Sequence, residues 1–147
     1  MKSNLKFFNN SKYLPVDNFF YNVLYNKNFG YYNLKQPFGN SGDYVTSPTI
    51  SNLFSEMIAI WIISTWEKIG KPKKLNIVEL GPGDGSLTKT ILNISKKFPK
   101  FDNAKNLYLY EISNFLKKLQ KKNIMSKDVK WIRNFDKIKN GPIIFFG

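Results

Sequence analysis

Apolar positions in the second half of the chain come in short bursts separated by amphipathic stretches. Leu75-Asn76-Ile77-Val78-Glu79-Leu80 predicts a buried strand over 75–80, and the pattern after it predicts a helix over 86–97. Leu107-Tyr108-Leu109-Tyr110 predicts a second strand over 107–111, followed by a helix over 113–122. Val129 and Trp131 mark a third strand near 128–132, and Ile143-Ile144-Phe145-Phe146 a fourth over 143–146. Strands alternating with helices imply an α/β fold with a parallel sheet and right-handed crossovers.

The first half reads differently. Residues 1–12 form a loose polar terminus, and Asp17 to Tyr25 predicts a short aromatic-rich helix with Pro15 and Asp17 at its start. Residues 33–49 read as a loop broken by Pro37, Gly39, Gly42 and Pro48. Residues 50–69 predict a long helix stopped by Gly70 and Pro72. Ile50, Leu53, Phe54, Met57, Ile58, Trp61 and Trp66 supply its apolar stripe, which assigns both tryptophans to core packing.

The candidate chemistry sits where the first strand meets its helix. Gly81, Gly83 and Gly85 alternate through Glu79-Leu80-Gly81-Pro82-Gly83-Asp84-Gly85-Ser86. Glycine lets a backbone bend sharply and lets a ligand approach it closely. The helix that follows leaves amide N–H groups unpaired at its positive end. Together these parts make a nucleotide-type cofactor site at the mouth of a parallel sheet. The spacing is G-x-G-x-G, and the third glycine of the dinucleotide fingerprint would fall at Ser86. Glu79, two residues before the first glycine, suits a cationic, phosphate-free ligand better than a pyrophosphate. Glu111 ends the second strand pattern, 26 residues after Gly85. A βαβ unit places such an acid beside the turn, where it accepts hydrogen bonds from both ribose hydroxyls. The two signals point to S-adenosylmethionine rather than NAD. A glycine turn that only packs a helix on a strand is the simpler alternative.

Composition narrows the chemistry further. The chain has 147 residues, with no cysteine and no histidine. That excludes a disulfide framework, a thiolate metal site and a histidine general base, so no metal is expected. The net charge of +13 invites a nucleic-acid reading, but 22 of the 23 basic residues are lysine and only Arg133 is arginine. Base and phosphate recognition favours arginine forks. The lysines, clustered loosely at 71–74, 96–100 and 117–122, read as solvated faces, and no specific nucleic acid is expected. An acidic protein partner stays open. The longest apolar run, Met57 to Ile63, is too short to span a bilayer, and no secretory h-region is present in the sequence. The expected location is the bacterial cytoplasm, or the mitochondrial matrix if the source is eukaryotic.

The motifs taken together resemble the MidA-like class I methyltransferases, which are related to mitochondrial complex I assembly-factor methyltransferases. Gly30-Tyr31-Tyr32 looks like that family's G-Y-Y. Gly42-Asp43-Tyr44-Val45-Thr46-Ser47-Pro48, followed by Ile50-Ser51, looks like its G-D-F-I-T-A-P-E-I-S segment. Val78-Glu79-Leu80-Gly81-Pro82-Gly83, with Gly85 and Leu87, looks like its V-E-L-G-P-G-x-G-x-L. Glu111-Ile112-Ser113 with Gln120 downstream, then Trp131 and Gly141-Pro142, match its later landmarks. The resemblance covers about residues 17–147. Two departures stand out: Thr49 replaces the acid of A-P-E-I-S, and Ser55 replaces the glycine of a following F-G-E.

The resemblance implies a truncated Rossmann-like half-sheet preceded by an N-terminal helical and loop segment. The expected division is 1–12 as terminus, 13–72 as helical and lid segment, and 73–147 as a partial S-adenosylmethionine-binding domain. Glu111 would hold the ribose, and Gly81, Gly83 and Gly85 would lie against the cofactor with Asp84 at the turn. Glu79 would organise the turn or favour the cofactor's cationic end. Tyr32, Asp43 and Thr46 would close over the cofactor as a lid, or serve only loop packing. The resemblance further implies a protein substrate, with an arginine acceptor and a respiratory complex I subunit as candidates. In that family the fourth strand leads into an N-E-F-F-D-A motif that is not among these 147 residues, so the expectation is an N-terminal fragment, a split gene or a truncated record, with a complementing C-terminal half as a candidate partner, and no catalytic residue is named. Two other classes stay open: a non-catalytic cofactor-binding remnant, and a basic nucleic-acid-binding protein or RNA methyltransferase.

Overall fold

A computed structural model of the chain describes residues 13–34, 37, 42, 43 and 51–147. Thr46 and Thr49, with the 1–12 terminus, lie outside the described residues. The elements run α1 (Val16–Tyr25), α2 (Tyr31–Leu34), α3 (Asn52–Lys68), β1 (Leu75–Leu80), α4 (Ser86–Ser95), α5 (Pro99–Ala104), β2 (Lys105–Tyr110), α6 (Asn114–Ile124), β3 (Val129–Ile132) and β4 (Ile143–Phe146). The strands form one parallel sheet of order β3-β2-β1-β4. The predicted α/β class holds, and all four strands stand where the apolar bursts placed them, within two residues at their ends.

β1 is the central strand, and Leu75 through Glu79 are all buried. A parallel strand covered on both faces gives such an uninterrupted run. Leu75, Ile77, Leu107, Leu109 and Ile144 pack one sheet face against Ala59, Ile62, Ile63 and Trp66 of α3, Ile91 and Leu92 of α4, and Ile124 of α6. Trp66 meets Phe101 of α5 edge-on at 5.6 Å, and its indole N–H donates to Pro72 O at 2.9 Å. The short α5 was not expected; Pro99 at its first turn has the backbone geometry that starts a helix. The other sheet face carries a smaller cluster of Val78, Tyr108 and Ile132 under Tyr110 and Ile138. Phe145 pairs in register with Val78, and Phe145, Ile143 and Leu80 remain exposed.

The expected stripe of α3 is corrected by the packing. Leu53, Phe54, Met57 and Trp61 are exposed, whereas Ser55, Ala59, Ile62, Ile63 and Trp66 are buried. The helix is apolar nearly all round, so periodicity cannot choose a face. Ser55 and Ala59 are small enough to let α3 approach its neighbours closely, and that side turns inward. Trp66 belongs to the core as expected; Trp61, 52% exposed, does not.

Candidate cofactor site

All four strands point their carboxyl ends to one edge of the sheet. β1 runs out of that edge into the Gly81–Gly85 turn, and β2 into Glu111. The chain then adds β3 outside β2 and returns to place β4 on the far side of β1. The sheet order therefore reverses beside β1, where open α/β sheets take their ligands.

The three glycines of the turn all have positive φ: +64° at Gly81, +56° at Gly83 and +87° at Gly85. Their surroundings differ. A Cβ on Gly81 would meet nothing within 4 Å, so that side of the turn borders open space. A Cβ on Gly85 would come within 2.9 Å of Ile124 Cδ1. The third glycine thus serves the close approach of α6 rather than of a ligand. Gly81 N–H donates to Tyr110 O at 3.1 Å, which fastens the turn to the end of β2. Asp84 accepts from Ser86 N–H at 2.9 Å and from Ser86 Oγ at 2.8 Å, starting α4.

Glu79 lies buried between the sheet and α4, and its carboxyl accepts a hydrogen bond from Thr88 Oγ1. Burial pushes its pKa up to about 7; the Thr88 bond pulls it down in part, and the Asp84 charge pushes it up. Its contacts here are structural ones.

Glu111 is buried just beyond β2. Ser113 N–H donates to Oε1 at 2.7 Å and Gln120 Nε2 to Oε2 at 2.8 Å. Burial raises its pKa, while the bonds from Ser113, Gln120 and the Ile112 backbone act against that rise. These three donors leave room among the roughly four lone-pair positions of the carboxylate for a further donor such as a ribose hydroxyl.

The N-terminal helices reach this carboxylate through Ser113. The Ser113 hydroxyl caps α6 by accepting from Leu116 N–H at 3.1 Å and shares its single proton between Tyr32 O at 2.7 Å and Asn33 Oδ1 at 3.0 Å. Tyr32 stacks on Tyr25 with ring centroids 5.6 Å apart. Burial raises the Tyr25 pKa, and the Tyr32, Glu111 and Tyr110 charges add to the rise. Tyr31 OH donates to Asp43 Oδ2 at 2.6 Å, which ties the 42–43 segment to α2.

Of the expected site residues, Gly81, Gly83, Asp84, Gly85 and Glu111 come together around one turn, and Tyr32 joins them through Ser113. Asp43 attaches one step further out, through Tyr31. Sequence reasoning marked Gln120 only as a landmark of the family resemblance, without a role, and did not mark Asn123. A signal for Gln120 existed: Leu116, Gln120 and Ile124 form an i, i+4, i+8 stripe, all buried. A glutamine in such a stripe marks a buried polar network.

A family model described as "Putative S-adenosyl-L-methionine-dependent methyltransferase" matches residues 57–147. The chain belongs to this family. The chain is 42% identical over 107 residues, 73% of its own length and 24% of the relative's, to the Drosophila melanogaster "Protein arginine methyltransferase NDUFAF7 homolog, mitochondrial". It is 36% identical over 132 residues to the Xenopus tropicalis protein arginine methyltransferase NDUFAF7, mitochondrial, covering 88% of this chain and 30% of that protein. To the human protein of that name it is 35% identical over 125 residues, 82% of this chain and 28% of the other. A COG1565 superfamily member from Burkholderia thailandensis, solved bound to S-adenosyl-homocysteine, shares the fold with a TM-score of 0.72 at 22% identity, over 90% of this chain and 36% of that one. The chain thus spans 24% to 30% of the length of the curated relatives named here. Membership agrees with the MidA-like resemblance carried by the motifs.

Proposed function

We propose that this chain is the cofactor-binding portion of an S-adenosylmethionine-dependent protein methyltransferase whose acceptor is an arginine side chain. The observation that carries the reading is the meeting of an open-faced glycine turn at Gly81 with the Glu111 carboxylate at the switch point of the sheet. When bound, the cofactor supplies a methyl group activated on a sulfonium. This chain's residues bind and orient it. Gly81 and Gly83 let the backbone lie against it, Glu111 accepts from its ribose, and Tyr32 with Asp43 borders it from the N-terminal segment. Glu79 keeps the turn in place from below through Thr88. The arginine acceptor is supported by the names of the relatives, and transfer to it is an in-line displacement that depends on alignment.

The expected division keeps 13–72 as the helical and lid segment and 73–147 as the cofactor-binding sheet; within the first part α3 packs into the sheet core through Ala59, Ile62, Ile63 and Trp66, which leaves the cover to α1, α2 and Asp43. The relatives are named mitochondrial, which supports a matrix location in a eukaryotic source, and a complex I subunit remains the substrate to test first. β4 is an edge strand and carries Ile143 and Phe145 exposed on one sheet face, which supports pairing with a complementing C-terminal segment.

The test is isothermal titration of the chain with S-adenosylhomocysteine, with NADH as control. Selective binding of the former is expected. Equal binding, or binding of NADH alone, would overturn the cofactor assignment.

A further inference from the structure

One side-chain amide joins four elements at the site. Gln120 of α6 is fully buried. Its Nε2 donates to Gly83 O at 2.9 Å and to Glu111 Oε2 at 2.8 Å, and its Oε1 accepts from Trp131 Nε1 of β3 at 2.9 Å. The orientation of this amide is fixed. Turning it over would set Oε1 against two acceptors and the NH2 group against an indole N–H, which only donates. One turn further along α6, Asn123 Nδ2 donates to Asp84 O at 2.9 Å, a second tie from the same helix to the same turn. Buried polar networks satisfied on every side rigidify their surroundings, because any displacement leaves an unpaired group out of contact with water.

The consequence is geometric. Gly83 follows β1 and Glu111 follows β2, and the Gln120 amide bridges the two. Core packing alone would be met at this position by leucine or methionine, so filling space does not account for the amide.

We propose that Gln120 is a positioning residue that sets the Glu111 carboxylate relative to the glycine turn, and so makes cofactor affinity depend on the ribose hydroxyls. The inference rests on the reading of Glu111 as the ribose acceptor. Trp131 acts one step behind, as the donor that orients the amide. The i, i+4, i+8 stripe therefore has two functions, with Leu116 and Ile124 packing the helix and Gln120 calibrating the site.

The experiment titrates the 147-residue chain with S-adenosylhomocysteine and with its 2′,3′-dideoxy analogue. The parent is expected to prefer the ribose form by about tenfold or more, the scale of hydrogen bonds to a charged group. Glu111→Ala is expected to abolish the preference. Gln120→Met, of similar length and unbranched, is expected to reduce it to under about threefold while the analogue binds as it does to the parent. Trp131→Phe keeps an aromatic ring but loses the indole N–H donor, and is expected to reduce the preference part of the way; it serves as the test if Gln120→Met fails to fold. A parent that binds neither ligand, or a Glu111→Ala variant that keeps the preference, overturns the ribose reading and this inference with it. Loss in Glu111→Ala but retention of the full preference in folded Gln120→Met overturns the role of Gln120 alone; if Gln120→Met fails to fold, full retention in Trp131→Phe does the same. A merely structural glutamine would weaken both ligands equally and leave the ratio unchanged.

Discussion

Thr88 Oγ1 donates to the Glu79 carboxyl between β1 and α4, and this buried pair locks the strand before the glycine turn to the helix after it. The turn is thereby held from beneath at Glu79 and from the side at Gln120. Two of the chain's ten acids, Glu79 and Glu111, are buried at this one corner.

Burial lifts the Glu79 pKa to about 7, above its ordinary 4.5. The folded chain then binds more protons than the unfolded chain between those values, so this group's contribution to stability is complete below about pH 4.5 and is lost as pH rises through 7. Glu111, also raised, acts with the same sign. Urea unfolding at pH 5 and pH 8 should show the parent less stable at the higher pH. Glu79→Gln should remove on the order of 2 kcal/mol of that difference. An unchanged difference in the variant would mean that Glu79 titrates normally.

The glycines of the turn should separate by function. Gly81→Ala places a methyl group in open space at the site and should weaken S-adenosylhomocysteine more than about tenfold. Its cost in stability should be only that of the positive φ, about 1 kcal/mol. Gly85→Ala drives a methyl into Ile124 and should lower Tm more than Gly81→Ala does. Calorimetry and thermal melts on both variants check this; the reverse ranking would mean that the ligand approaches at Gly85.

Ser113 should couple the N-terminal helices to the sheet. Ser113→Ala removes the α6 cap and the bonds to Tyr32 and Asn33, at a cost of about 1 kcal/mol for the cap alone. Amide hydrogen exchange over residues 16–34 should accelerate far more than exchange in β1. Uniform acceleration would mean that the hydroxyl serves only the cap.

The corrected face of α3 is tested by paired substitutions. Ile62→Ala should cost about 2–5 kcal/mol, whereas Met57→Lys and Trp61→Lys should each change stability by less than about 0.5 kcal/mol. Acrylamide should quench Trp61 fluorescence in a Trp66→Phe, Trp131→Phe background, where Trp61 is the remaining tryptophan of the three. A blue-shifted, protected Trp61 would return it to the core.

The sheet was legible because each strand is a short apolar burst between breakers, and a buried parallel strand leaves no other option for Leu75 to Glu79. The glycine turn and Glu111 were legible for a related reason: positive φ and a β-strand terminus place strong local demands on residue type. The α3 face was not legible, because a helix apolar all round has no preferred side until Ser55 and Ala59 find a neighbour to approach. α5 escaped notice because six residues give too short a window for periodicity.

The sequence by itself determined the α/β class, the strand positions, the G-x-G-x-G turn and the acid after β2, since each rests on backbone geometry within a few residues. Only the tertiary structure decided that Gly85 meets Ile124 while Gly81 borders open space, and that Glu79 pairs with Thr88. It also decided that Gln120 joins Gly83, Glu111 and Trp131. Those contacts form between residues distant along the chain, and hydrogen-bond direction and packing distance exist only once the helices have docked on the sheet.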